Sequence, residues 1–113
     1  MNVTTEQAGA ISIVRVRESR MMYPVLAEFS AAVGALIAAG QHDILIDLSP
    51  VTYVDSATIG CFMDLYRQVS NAGGQLKLSG VQKRVETMLT MTGANKFIEI
   101  RGDEADARKS FKA

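Results

Sequence analysis

The run Asp55-Ser56-Ala57-Thr58-Ile59-Gly60 holds the residues best placed to do chemistry. It follows an apolar stretch and a short loop, and it opens a segment with helical spacing. Asp, Ser and Thr at such a start have two uses. Their oxygens cap the free backbone N–H groups of a helix N-terminus. Alternatively, a hydroxyl held there sits in the positive end of the helix dipole, where an added anion is tolerated. A phosphate on Ser56 would place about −1.5 to −2 charges beside Asp55. A partner surface fitted to the neutral hydroxyl would then meet like charge, at a cost of several kcal/mol. Capping alone and a modifiable serine are both compatible with these residue types.

Other chemistries lack parts. No GxxxxGK[ST] loop is present to cradle a nucleotide. His42 is the single histidine, and it falls between a helix and the next strand, away from Ser56. No GxSxG elbow surrounds Ser56. Cys61 is the single cysteine, so neither an internal disulfide nor a multi-cysteine zinc site can form. It falls inside a helix beside Phe62, which predicts burial rather than reactivity. Asp47 interrupts an apolar strand. A phospho-accepting aspartate would need an acidic pair after the first strand, where the chain instead reads Arg15-Val16-Arg17-Glu18. Asp47 is therefore expected to bond neighbouring loop backbone. No metal or cofactor is expected, and no catalysis by the chain itself.

The elements that must position Ser56 follow from periodicity. Ala10 to Val16 is β-branched and reads as a strand. Val3 to Gln7 reads as an antiparallel edge strand. Pro24 stands at a first helical position, and Val25, Leu26, Phe29, Val33, Leu36 and Ile37 follow at helical spacing until Gly40. Ile44 to Leu48 is a short buried strand. A second helix starts near Ser56, with Ile59, Phe62, Met63, Tyr66 and Val69 on one side, and Gly73-Gly74 ends it. Leu76 and Leu78 mark a strand. Val85, Met88 and Leu89 mark a third helix closed by Gly93, and Phe97 to Ile100 is a last strand. Asp103 to Lys112 reads as a helix with its acids first and bases last, which suits the dipole. The alternation predicts one α/β domain with a mixed, mostly parallel sheet of four to five strands and about four helices. The loops Arg17 to Tyr23, Ser49 to Asp55 and Ser79 to Gln82 then share the carboxyl edge, where open α/β sheets carry their sites.

Composition narrows the partners. The 113 residues hold 12 Lys and Arg against 12 Asp and Glu, a formal net charge of zero. Duplex binding rests on phosphate neutralisation, so nucleic acid is not the expected partner. A polybasic membrane anchor is absent too. The start, Met1 to Gly9, is polar, and Ala31 to Ala39 is far short of a membrane span. A cytoplasmic protein is expected. Two groups near the carboxyl edge admit two readings each. Met21-Met22-Tyr23 is either a core-facing helix entry or an adaptable contact patch. Lys83 and Arg84 open the third helix, against its dipole; they are either solvated surface or a receiver for an acidic partner.

The stretch Ile44-Leu45-Ile46-Asp47-Leu48, its loop, and Asp55-Ser56-Ala57-Thr58-Ile59-Gly60 resembles the signature of STAS domains. The downstream order is similar: Gly73-Gly74, Gln75-Leu76-Lys77-Leu78, a helix with Val85 and Leu89, Met91-Thr92-Gly93, then Phe97-Ile98-Glu99-Ile100. The resemblance covers residues 10–112 and implies a single STAS domain over residues 1–113. In stand-alone bacterial members that act as anti-sigma-factor antagonists, the serine after the aspartate is phosphorylated; by position that is Ser56. The resemblance implies a partner-switching cycle in transcription regulation. The unphosphorylated form binds a GHKL-type anti-sigma factor that is also a serine kinase, freeing the sigma factor. Phosphorylation of Ser56 releases the kinase, and a PP2C-type phosphatase resets the cycle. Asp55, Ser56, Thr58, Ile59, Met21, Met22, Lys83 and Arg84 would face the partner. Many antagonists carry a Gly-x-(Leu/Ile)-Asp turn after the early strand, and Arg17 to Pro24 lacks it. Two alternatives without phospho-regulation therefore stay open: a stressosome-type scaffold, and a STAS subunit of a lipid-transport ABC complex.

Overall fold

The apolar periodicities resolve into a sheet with two unlike faces. The structure, a computed structural model, describes residues 2–111. Among them the strands are β1 (Val3–Ala8), β2 (Ile11–Val16), β3 (Arg20–Met21), β4 (Asp43–Asp47), β5 (Tyr53–Val54), β6 (Gln75–Ser79) and β7 (Glu99–Arg101). The helices are α1 (Leu26–Ala38), α2 (Ser56–Asn71), α3 (Lys83–Thr92) and α4 (Glu104–Ser110). The main sheet has the order β1-β2-β4-β6-β7. β1 runs antiparallel to β2, and the other neighbours are parallel. The mixed, mostly parallel sheet and four helices are thus as expected, edge strand included.

Side chains alternate across the strands. Val14, Val16, Ile44, Ile46, Leu76 and Leu78 point to the front face. There they meet Phe29 and Val33 of α1, Phe62, Leu65 and Val69 of α2, and Val85 and Leu89 of α3 in one core cluster. Phe29 and Phe62 pack edge to face at 5.8 Å between centroids. Fully burying side chains of this size stabilises by roughly 1.5–3 kcal/mol each. The back face holds a much smaller cluster of Ile13, Leu45 and Ala107, with Phe111 at its margin. Polar groups do the rest there. Arg15 binds Glu104 at 2.6 Å, Asp47 at 3.0 Å and Glu6 at 3.0 Å. The buried Lys77 ammonium donates to the Ser110 carbonyl at 2.8 Å and lies 4.8 Å from the centre of the Phe111 ring.

Two differences from the sequence reading have physical causes. The last strand starts at Glu99, not Phe97: a 3-10 turn over Ala94–Lys96 leaves Phe97 58% exposed, its ring against Tyr66. The stretches expected as plain loops, Arg17 to Tyr23 and Ser49 to Asp55, pair as a second, two-stranded sheet of β3 and β5. Lys112, expected in the last helix, and the side chain of Val25, expected on the buried side of the first, lie outside the described residues. The Gly73-Gly74 turn has a steric basis. Gly73 takes φ +83°, and a Cβ on Gly74 would lie 2.0 Å from the His42 carbonyl oxygen. That carbonyl accepts from the Gln75 N–H at 3.0 Å and registers β6 on β4.

Candidate functional site at the start of helix α2

Three loops meet at the carboxyl edge of the sheet, as the parallel topology requires. The β3–β5 pair aligns Arg20 with Tyr53 and Met21 with Val54. The Thr52 N–H donates to the Ser19 carbonyl at 2.7 Å. Gln82 donates from Nε2 to the Ser49 carbonyl at 2.8 Å, tying in the third loop. Asp47 accepts from the Ser49 N–H at 3.0 Å. That is the loop-backbone role expected of it, joined by the Arg15 ion pair.

The tie between these loops and α2 is Asp55. Its backbone is extended (φ −95°, ψ 176°), the geometry of an N-cap. Oδ1 accepts from the Thr58 N–H at 2.8 Å, and Oδ2 accepts from the Tyr23 N–H at 2.9 Å. The Thr58 hydroxyl lies 2.6 Å from Asp55 Oδ1 and 2.8 Å from the Met21 carbonyl, and its single proton serves one or the other. Burial works against the charge on Asp55, but the donors from Thr58 and Tyr23 outweigh it and hold the carboxyl below its ordinary 3.8. Asp55 is therefore a fixed anion at neutral pH.

Because Asp55 caps the helix, Ser56 does not have to. It is the first helical residue, exposed, and its hydroxyl has no hydrogen-bond partner among the described residues. Of the two uses the sequence allowed, capping falls to Asp55 and leaves Ser56 spare.

The other candidates separate by depth. Lys83 and Arg84 are exposed in the first turn of α3, and Met22 is half-buried. Met21 and Thr58 are 0% exposed and Ile59 is 7% exposed. These three, placed with the partner-facing residues on sequence, instead lie beneath that surface. The β3–β5 pairing turns Met21 into the core, and the helical phase of α2 sends Thr58 and Ile59 inward. The Met21–Tyr23 run thus divides: Met21 faces the core, and Tyr23 is 73% exposed. Cys61 is half-buried, and burial pushes its thiol up. His42 is exposed at the opposite edge, beside Gly74.

Sequence reasoning missed two features. One is the Arg20 guanidinium stacked 4.7 Å from the centre of the Tyr53 ring. The other is the tether from Asp55 to Tyr23. Neither has a local sequence signal, because both cross from one loop to another. No cluster of three or more His, Cys, Asp or Glu able to hold a metal occurs among the described residues, and no helix there is long and apolar enough to cross a membrane.

A layered α/β domain with this sheet order is the architecture of a known family. Residues 2–107 match the STAS domain, and the chain belongs to that family. The anti-sigma-B factor antagonist of Bacillus subtilis is 34% identical over 64 residues, 57% of this chain and 59% of that protein. The chain thus spans about three-fifths of the length of this curated relative. Among solved structures, an anti-sigma factor antagonist from Mycobacterium paratuberculosis superposes with a TM-score of 0.89 at 19% identity, covering 99% of this chain and 94% of that one. The phosphorylated form of the Bacillus cell fate determinant SpoIIAA gives 0.75 at 13% identity, covering 98% and 100%. These structural likenesses establish the fold.

Proposed function

We propose that this chain is a single-domain, cytoplasmic anti-sigma-factor antagonist that works by partner switching, with Ser56 as its phosphorylation site. The observation that carries the reading is the division of labour at α2: Asp55 makes the cap, and the Ser56 hydroxyl is exposed and uncommitted. The similarity to the B. subtilis antagonist supports it.

The geometry explains how one phosphate acts as a switch. In the unphosphorylated state the edge presents a neutral hydroxyl beside a fixed carboxylate. Phosphoryl transfer from ATP bound on a GHKL-type kinase adds about −1.5 to −2 charges there. The helix N-terminus tolerates the anion, so α2 stays folded. The partner surface, fitted to the neutral hydroxyl, does not tolerate it, because the added charge meets like charge across the interface. Each 1.4 kcal/mol of that repulsion is tenfold in affinity. Ser56, Met22, Lys83 and Arg84 form the contact surface, with Asp55 holding it in place and Met21, Thr58 and Ile59 supporting it from below. A PP2C-type phosphatase restores the hydroxyl.

A pull-down with wild type, Ser56→Ala and Ser56→Asp tests the reading. The first two retain a GHKL-type serine kinase and Ser56→Asp releases it. Intact-mass and peptide analysis of cell-derived protein places a single phosphate on Ser56. Equal retention of the kinase by all three proteins overturns the switch. Capture of an ABC-transporter ATPase instead favours a transport subunit.

A further inference from the structure

Beside Ser56 lies an open groove of about 850 Å³ between the entry to α1 and the outer face of α2. Tyr23, Pro24 and Ala27 form one wall, and Ala57, Gly60 and Cys61 form the other. The helix wall begins one residue after Ser56 and continues along the same face at positions one turn apart. The groove and the serine are therefore one continuous surface.

Gly60 shapes that wall, and nothing inside the molecule requires it. It is helical, its φ is not in the left-handed region, and a Cβ built on it meets nothing within 4 Å. A helical glycine is destabilising relative to alanine. The opposite wall is fixed rather than loose: the Tyr23 N–H is held at 2.9 Å by the carboxylate that caps α2. Tyr23 itself is 73% exposed, and exposed aromatic residues of this kind anchor protein interfaces.

The occupant follows from shape and charge. A small-molecule site encloses most of its ligand, whereas this groove is open along its length. It suits a side chain projecting from another protein. Its lining is largely apolar, and the charged pair within it, Asp64 and Arg67, is satisfied internally at 2.8 Å. The projecting side chain is therefore apolar. On the neighbouring sheet edge Arg17, Arg20, Lys83 and Arg84 are exposed and have no carboxylate partner among the described residues. A protein surface that covers both regions is acidic around its apolar anchor.

We propose that this groove seats an apolar side chain from an acidic surface of the same kinase partner, with Gly60 setting the depth and Tyr23 closing the rim. The inference rests on the partner-switching reading and adds to it a second contact that does not involve the phosphorylated hydroxyl.

The test uses the serine kinase retained by the Ser56→Ala bait, purified and titrated against full-length variants by calorimetry. Gly60→Leu fills the groove from a site with free space, and Tyr23→Ala removes the rim. Both weaken binding by roughly tenfold or more, as loss of an anchor does, and both keep the thermal midpoint near that of wild type. Gly34→Leu is the control: Gly34 is helical on α1, outside the groove, with nothing within 4 Å of its built Cβ. It leaves binding unchanged. Wild-type affinity in Gly60→Leu and Tyr23→Ala, with Ser56 still phosphorylated by the kinase, overturns the groove assignment and leaves the switch standing. Equal loss in Gly34→Leu overturns it too. If neither wild type nor Ser56→Ala binds a serine kinase, the switch reading fails and takes the groove assignment with it.

Discussion

The two faces of the main sheet solve the same burial problem by opposite means. The front face is covered by three helices and held by a continuous apolar cluster from Val14 to Ile98. The back face is covered by α4 alone, and its apolar contact is little more than Ile13, Leu45 and Ala107. What fastens α4 is polar: Arg15 to Glu104 at one end, and Lys77 to Ser110 at the other. Apolar burial is non-directional and tolerates small shifts. Ion pairs and charged hydrogen bonds fix geometry but add little net stability once desolvation is counted. The front face thus supplies stability, and the back face supplies registration of one short helix.

That contrast can be broken experimentally, starting from the largest effect. Phe62→Ala removes a fully buried ring from the front and is expected to cost about 3–5 kcal/mol in urea unfolding. A cost below about 1 kcal/mol would contradict the division. Arg15→Ala leaves Glu104 with Arg108 and Asp47 with the Ser49 N–H as remaining partners, and is expected to cost about 1–2 kcal/mol. Hydrogen exchange should speed up in α4 while α1 and α2 stay protected. Lys77→Met keeps the stem and deletes the ammonium. It should cost about 1 kcal/mol, with faster exchange confined to the last turn of α4.

The smallest effect is on pH. The hydrogen bond and charge of Arg15 hold the Glu104 carboxyl below its ordinary 4.5. A lowered carboxyl contributes stability that is present above its unfolded value and lost as pH falls through its folded value. Acidification below about pH 4.5 should therefore loosen α4 before the front face, visible as a shift of the Ala107 methyl signal in NMR. Glu104→Gln should abolish that early step.

The same division explains what could be read in the sequence. Front-face strands and helices carry strong periods, such as Phe29 with Val33 and Phe62 with Val69, so nearly every element was legible. A helix cap at Asp55 or Ser56 was legible for a similar reason, since it is local; that Asp55 makes it and leaves Ser56 spare was not. The β3–β5 pair was not. Two residues per strand carry no alternation, and only the pairing turns Met21 inward. Lys77 was equally opaque: Gln75-Leu76-Lys77-Leu78 alternates like a half-solvated strand, and nothing local says that Ser110 and Phe111 will cover the lysine. The Tyr23 tether and the groove beside it arise from contacts more than thirty residues apart in sequence.

The strand order has a consequence for how molecules of this chain avoid one another. An exposed sheet edge is a template for pairing with a second chain. β7 guards its edge by being three residues long, with Glu99 and Arg101 bound to each other. β1 is six residues long, and its single charge, Glu6, is occupied by Arg15. Its protection is the polarity of Thr4, Thr5 and Gln7, which gives an added strand little apolar surface to bury. Replacing Thr4 and Thr5 with valine, while keeping Gln7 for its bond from the buried Ser12 hydroxyl, would leave the fold's own side-chain hydrogen bonds in place and open the β1 edge to an added strand.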